Sequence, residues 1–381
     1  MDKYTTYVGM DVHARSVIAR ALNKRTGEQF SKRFGAGYSA EEIAEWIFTL
    51  EGPALCAYES GVTGFYLARQ LYAIGIDCEV IAISTLATSL KDRKEKCDKY
   101  DARAILREMT NPLKTYSTVY IPDERTEAER DLVRTRDKAA LRWRRARQEL
   151  SSFLLRHGYV WNERTASGNI RLTTGHAYKK WLDTISFAEP AAEATFAFLR
   201  RHAKSAKEEL DHMDALVEEI AQRKENKPFI DALCLLKGVN KQSAMMIKAE
   251  VGCFSRFSSG RKVSSWIGCV PTNHSSGARE VHGRITKAGN KYLRRALVEG
   301  VSSLPSWSSS TKKPQPKEGV SASVLAKADE GNERLCKRYH HLKNERGKQM
   351  NKVKIAIANE MMRWLWVIGL MVEQEQEMRA H

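Results

Sequence analysis

The first third of the chain is set out as a strand-rich block. Runs at 4–12, 16–23 and 27–35 each have strand character and are joined by short polar turns such as "NKRTGE". "SAEEIAEWIFTL" (39–50) then changes to helical spacing, with Ser39 at the N-cap position and Glu42 three residues on as a capping box. "PALCAYES" (53–60) is a short apolar run ending in an acid, "GFYLARQLYAIG" (64–75) is a helix closed by glycine, and "DCEVIAI" (77–83) is another strand. The order β-β-β-α-β-α-β, followed by a helix carrying "KCDKYDARAIL" (96–106), implies a mixed sheet flanked by helices. The fold class expected for the whole chain is α/β followed by α.

Beyond residue 122 the pattern is mainly helical. A long helix is expected over 123–157, and its stretch 130–147 holds eight Lys and Arg against two Asp. Residues 158–185 read as irregular, with "RTASGNIRLTTG" as a loop. Residues 187–223 return to helical spacing through Phe196, Leu199, Ala206, Leu210, Met213, Leu216 and Ile220. That stripe is either a coiled-coil seam or a plain buried face. "FIDALCLLKGVNKQSAMMIKAEVG" (229–252) is a helical hairpin about a tight turn, which can offer backbone amides to a phosphate or serve only as a packing unit. A glycine- and serine-rich loop leads into a basic helix over 266–297, and residues 302–319 form a polar insertion. Three domains are expected: 1–122, 123–228 and 229–381, the last with its insertion near 303–320.

Charge separates these regions. The net charge is +17, yet residues 1–110 are neutral, so the whole surplus lies beyond them. A surplus of that size points to a polyanionic partner, DNA or RNA, against the plainer alternative of solubility. On the 130–147 helix the candidate contacts are Arg130, Arg134, Arg142, Arg144, Arg145 and Arg147. The apolar stretch "MMRWLWVIGLMV" (361–372) is too short to span a bilayer and is interrupted by Arg363, so it reads as a buried helix and no membrane partner is expected. The acidic, alternating start of the chain does not resemble an export signal, and the seven cysteines include no C-x-x-C pair. Both features suit a cytoplasmic protein with reduced thiols.

Four acids in the first domain bear on chemistry. Asp11 ends the first strand and Glu59 the fourth, while Asp98 and Asp101 stand three apart on one helix. Each alone has a plain explanation as a cap or a strand-end charge. If the two strands are neighbours, the four converge, and they require cations to offset their repulsion. Mg²⁺ suits carboxylate oxygens, and two such ions about 4 Å apart clamp the attacking and leaving oxygens of a phosphodiester.

The segments "YVGMDVHARSVIARAL", "AYESGVTGFYLARQL" and "KCDKYDARAIL" resemble the acidic motifs of the DEDD-type transposases of bacterial insertion sequences. That family includes pilin-gene-inverting recombinases and recombinases guided by a bridge RNA. The resemblance implies a RuvC-like, ribonuclease-H-like first domain with Asp11, Glu59, Asp98 and Asp101 as a Mg²⁺-binding tetrad. It continues in "LLKGVNKQSAMMIKAEVG", "HSSG" and "GRITKAGNKYLRRAL" and so covers nearly the whole chain; only the 160–180 loop and the polar insertion depart from it. It implies that Ser276 is a nucleophile that becomes covalently linked to DNA, with Ser275 the alternative if the register shifts by one. Arg284, Lys287, Lys291, Arg294 and Arg295 follow as phosphate contacts, and His274 and His282 flank the serine. A structured guide RNA and a homo-oligomer, dimer or tetramer, are further implications. The absence of a G-x-x-x-x-G-K-[ST] loop agrees with strand exchange that conserves phosphodiester energy. The alternatives are a metal-dependent junction-resolving endonuclease that uses water, and a non-catalytic nucleic-acid-binding protein.

Overall fold

The computed structural model describes residues 3–85, 98–113, 115–276, 279–304 and 318–380, with only the backbone given for 84, 98–101, 273–276, 279–282 and 380. The chain forms two compact units, residues 1–123 and 124–381.

The first unit is a mixed sheet of β1 (Thr6–His13), β2 (Ser16–Asn23), β3 (Gln29–Phe34), β4 (Ala54–Glu59) and β5 (Asp77–Ile81). Its order is β3-β2-β1-β4-β5. The first three strands pair antiparallel, and β4 and β5 join β1 in parallel. The parallel additions need crossovers, and the helices α1 (Ala40–Phe48) and α2 (Tyr66–Ile74) supply them. Ser39 caps α1 by accepting a hydrogen bond from the Glu42 amide at 3.1 Å, and Gly75 ends α2 in the left-handed region at φ 95°.

Alternation along the strands sorts the core into two layers. Val8, Met10, Ala19, Cys56, Tyr58 and Val80 face α1 and α2, packing on Ile43, Ile47, Leu67 and Leu71. On the other face Tyr7, Leu55, Ala57 and Ile81 pack on Ile105, Leu106 and Met109 of α3 (Asp98–Thr110). Gly9 lies under that helix. A Cβ there would stand 2.6 Å from the Ala102 carbonyl oxygen and 2.7 Å from the Leu106 nitrogen, both backbone atoms. Only glycine lets α3 sit this close to the central strand.

In the second unit α4 (Glu124–Arg156) and α6 (Pro190–Ala221) form an antiparallel pair. Ala139, Ala146, Ala203 and Ala206 are buried along it. Where the sequence pattern reads as irregular, the structure has a short helix, α5 (His176–Asp183), whose Tyr178 and Leu182 are buried in an aromatic cluster with Phe153, Trp161 and Phe187. The remaining helices are α7 (Lys227–Leu233), α8 (Lys241–Val251), α9 (Gly260–Trp266), α10 (Lys291–Val301), α11 (Ala322–His340) and α12 (Met350–Ala380).

α12 is the spine of this core. Ile357, Met361, Met362, Leu365 and Ile368 are fully buried, and the helix packs on α7, α9, α10 and α11. The apolar run at 361–372 is thus the middle of a much longer helix. Among the described residues it is the one helix long and apolar enough to cross a bilayer, and 44% of its most apolar window is buried in the unit. The expected loop between α9 and α10 is also different. It holds an antiparallel hairpin of β6 (Pro271–Ser276) and β7 (Arg279–Ile285), because Thr272, Val281 and Ile285 suit strands better than the surrounding serines and glycines suggest.

Gly9→Ala should lower the stability of the first unit by about 1–3 kcal/mol, since the added methyl meets backbone atoms that cannot swing aside. Chemical denaturation followed by far-ultraviolet circular dichroism measures this. An unchanged midpoint would show that α3 does not lie on β1 as described.

Candidate functional site

β1 and β4 run parallel, in register from Thr6 opposite Ala54 to Met10 opposite Tyr58. The next residue on each strand is an acid, Asp11 on β1 and Glu59 on β4. Both therefore stand at the carboxyl ends of adjacent parallel strands, where sheets of this kind place their ligands. Counting back by twos, Asp11 follows Gly9 and Tyr7, while Glu59 follows Ala57 and Leu55, so both acids belong to the α3 face. The Asp11 side chain is only 12% exposed, and its Oδ2 lies 3.0 Å from Nε2 of His13.

His13 joins the site through this contact. Its signal is the "DVH" spacing, which puts Asp and His on one face of a strand. Asp98 and Asp101 open α3, no more than about one helical turn before Ala102, whose carbonyl lies over Gly9. Their side chains lie outside the described residues. Among the described residues no group of three or more His, Cys, Asp or Glu is gathered to hold a metal ion. The two carboxylates described supply the hard oxygen donors that Mg²⁺ takes, so this part of the set fits that ion.

In the second unit Ser276 is the last residue of β6 and pairs with Arg279, and Ser275 pairs with Glu280. The side chains of Ser275, Ser276, His274 and His282 lie outside the described residues. The base of this hairpin is tightly defined. A Cβ on Gly268 would run into the Ala288 carbonyl, and one on Gly289 into that of Trp266. Lys287 is the non-glycine residue held in the left-handed region among the described residues, at φ 55°, and its amide donates to the Gly268 carbonyl at 3.2 Å. Burial pushes the Cys269 thiol up to about 11, so the cysteine beside the hairpin stays protonated and is no rival nucleophile at neutral pH.

A buried carboxylate organises the elements behind the hairpin. Glu250, whose side chain is 1% exposed, accepts from Nε and Nη2 of Arg134 at 2.6 and 2.8 Å. It also accepts from Nδ2 of Asn290 at 2.6 Å. The Asn290 oxygen in turn caps α10, accepting from the amides of Tyr292 and Leu293 at 3.0 Å each. Beside it Lys248 and Glu129, both almost fully buried, pair at 2.6 Å.

This network corrects part of the basic-face reading. Arg130 is buried, with its guanidinium on the Ala249 and Glu250 carbonyls at 3.3 and 3.4 Å. Arg130 and Arg134 therefore tie α4 to α8, and Arg130 is too buried to meet a phosphate. Of the others, Arg147 donates to Thr173 at 2.6 Å and lies over the Trp143 ring, and Arg142 approaches Glu209 at 3.6 Å. Arg294 donates to the Ile267 carbonyl at 2.9 Å, and Arg295 pairs with Asp137. Arg144, Arg145, Arg284, Lys287 and Lys291 are exposed.

Residues 231–315, which carry α8, the hairpin and α10, match the model of the "Transposase IS116/IS110/IS902 family". A Sinorhizobium fredii protein named "Putative transposase y4qE" is 30% identical over 381 residues, covering 97% of this chain and 89% of its own length. The chain belongs to an insertion-sequence transposase family. The transposase for insertion sequence element IS1533 of Leptospira borgpetersenii is 29% identical over 353 residues, 91% of the present transposase and 99% of the relative. Both similarities run through both units.

Glu250→Ala in this transposase should cost about 3–5 kcal/mol, because it leaves the Arg134 charge and the Asn290 amide without their buried partner. Replacing exposed Arg144 and Arg145 together by alanine should stay within about 0.5 kcal/mol. Urea denaturation of both variants compares them directly, and equal midpoints would remove Glu250 from its organising role.

Proposed function

We propose that this transposase cuts and rejoins DNA through a phosphoserine intermediate, with Ser276 as nucleophile and Asp11, Glu59, Asp98 and Asp101 as its Mg²⁺ ligands. The observation that supports this reading is the β1/β4 register, with Met10 opposite Tyr58 and an acid next on each strand. The β3-β2-β1-β4-β5 order, with acids at the ends of the two central parallel strands, supports a ribonuclease-H-like first unit.

Bound Mg²⁺ would supply Lewis-acid polarisation of the phosphate and neutralise charge that develops on its oxygens. The protein's own groups do the rest. Asp11 and Glu59 provide fixed negative charge at the strand ends, and His13 orients the Asp11 carboxylate through its 3.0 Å contact. The Ser276 oxygen attacks phosphorus, forming a Ser–O–P ester as one P–O bond of the strand breaks, and the departing strand oxygen takes up a proton. An incoming strand hydroxyl then attacks the same phosphorus, and serine leaves with a proton restored. Bond count is conserved, so no nucleoside triphosphate is consumed. Exposed Arg284, Lys287 and Lys291 flank this step as phosphate contacts. A structured RNA that selects the two DNA sites belongs to the same reading, supported by the family resemblance and by exposed Arg144 and Arg145 on α4. Holding four strand ends at once supports a homo-oligomer.

Ser276→Ala should keep DNA binding but lose both the heat- and detergent-resistant protein–DNA species on a denaturing gel and recombination. Ser275→Ala should be far milder. Asp11→Asn should abolish strand cleavage in Mg²⁺ while the protein stays folded. A free nick in place of the covalent species would install the hydrolytic, water-using reading. Recombination by Ser276→Ala would place the nucleophile elsewhere.

A further inference from the structure

The cations of the second unit are used in two different ways. Along α4 and α10 many meet a carboxylate from a distant element, as Arg134 does on Glu250, Arg136 on Asp214 and Arg295 on Asp137. At the corner between α11 and α12 only Arg338 does so, on Glu360. Residues 337–354, "KRYHHLKNERGKQMNKVK", hold seven Lys and Arg, two His and one acid.

The local backbone keeps this charge on the outside. α11 passes into a single π turn, His341–Glu345, closed by the Arg346 amide on the His341 carbonyl at 2.9 Å and the Lys348 amide on that of Leu342 at 3.0 Å. Gly347, at φ 55°, reverses the chain into α12. Lys343, Arg346, Lys348 and Lys352 are all exposed on this corner. Among the described residues none of the four has an ion-pair partner. The nearby acids are taken, Glu345 by His341 at 2.6 Å, Glu333 by Lys337 at 3.6 Å, and Glu360 by Arg334 and Arg338 at 3.0 and 2.8 Å.

We infer that the α11–α12 corner is a docking surface for the phosphate backbone of duplex DNA. Four like charges held on a tight turn, with Glu345 the one acid among them, repel each other and are relieved by a polyanion. The exposed amides of Asn344, Gln349 and Asn351 add hydrogen-bond donors of the kind phosphate oxygens accept. Single-stranded nucleic acid is bound on aromatic stacking platforms. The one Phe, Tyr or Trp in this segment is Tyr339, and it is buried. The surface therefore reads a charged duplex without reading its sequence. It does not rest on the tetrad or the serine, since binding requires no strand cleavage.

The test uses the full chain, a fluorescent DNA duplex of unrelated sequence, and anisotropy over a range of salt. The variant replaces Lys343, Arg346, Lys348 and Lys352 together by glutamine. A control replaces Lys179, Lys180, Lys204 and Lys224, which are exposed elsewhere, and so removes the same charge. At about 0.9 in slope per phosphate contact, the corner variant should flatten the log–log salt dependence by about 3–4 and bind at least tenfold more weakly at moderate salt. The control should do far less. Should the quadruple variant fail to fold, Arg346→Gln alone should flatten the slope by about 0.9 while Arg346→Lys restores it. Equal losses in the corner variant and its control would reduce the effect to net charge and overturn the inference. Unchanged duplex binding with loss of structured-RNA binding would overturn it as well. Loss of cleavage in Asp11→Asn with duplex binding intact would leave it standing.

Discussion

A side chain that is missing decides the geometry of the first unit. β1 is the middle strand of five, and any residue larger than glycine at position 9 would push α3 away by its own backbone. With Gly9 in place, the helix that begins with Asp98 lies on the face to which Asp11 and Glu59 belong. The β1/β4 register completes the arrangement. Because side chains alternate along a strand, a slip of one residue would carry Glu59 to the α1 and α2 face and leave Asp11 without its neighbour. Close approach and register are therefore one constraint on where negative charge can gather.

In the second unit the organising charge is buried and paired. Glu250 joins α4 through Arg134 and the start of α10 through Asn290, and the neighbouring Lys248–Glu129 pair ties the same two helices, α8 and α4. Charge in this chain thus does two kinds of work. Some cations fix helices against one another in a desolvated interior, where they need a partner. Others stay in water at the surface, where a partner molecule can meet them.

The local parts of this fold were readable from sequence. The runs at 4–12, 16–23 and 27–35 correspond to β1, β2 and β3, and Ser39 and Gly75 mark helix ends by chemistry confined to a few residues. The long helix expected over 123–157 is α4. Contacts between remote segments were not readable. Arg130 and Arg134 look like a solvated basic face because their partner stands 116 residues away from Arg134. The β6–β7 hairpin looks like a loop because serine, asparagine and glycine mask its few strand-forming residues. At the candidate site the acids were visible as residue types, but the adjacency of Asp11 and Glu59 comes from a parallel pairing that sequence spacing does not encode. The "DVH" spacing gives His13 meaning only once Asp11 is a site residue, because a lone histidine in a strand is otherwise ordinary.

The position of α12 in the order of the chain has a consequence for biosynthesis. Residues 1–123 form a compact unit of their own, so that unit can close while later segments are still being made. The core of the second unit cannot. Its apolar spine follows α7, α9, α10 and α11 in sequence, so those helices emerge with their inner faces uncovered and wait for α12 to be translated. A nascent chain of this protein therefore passes through a stage with a finished sheet domain and an open, adhesive helical half. A chain that stops before α12 leaves that apolar surface open, the kind of surface chaperones capture.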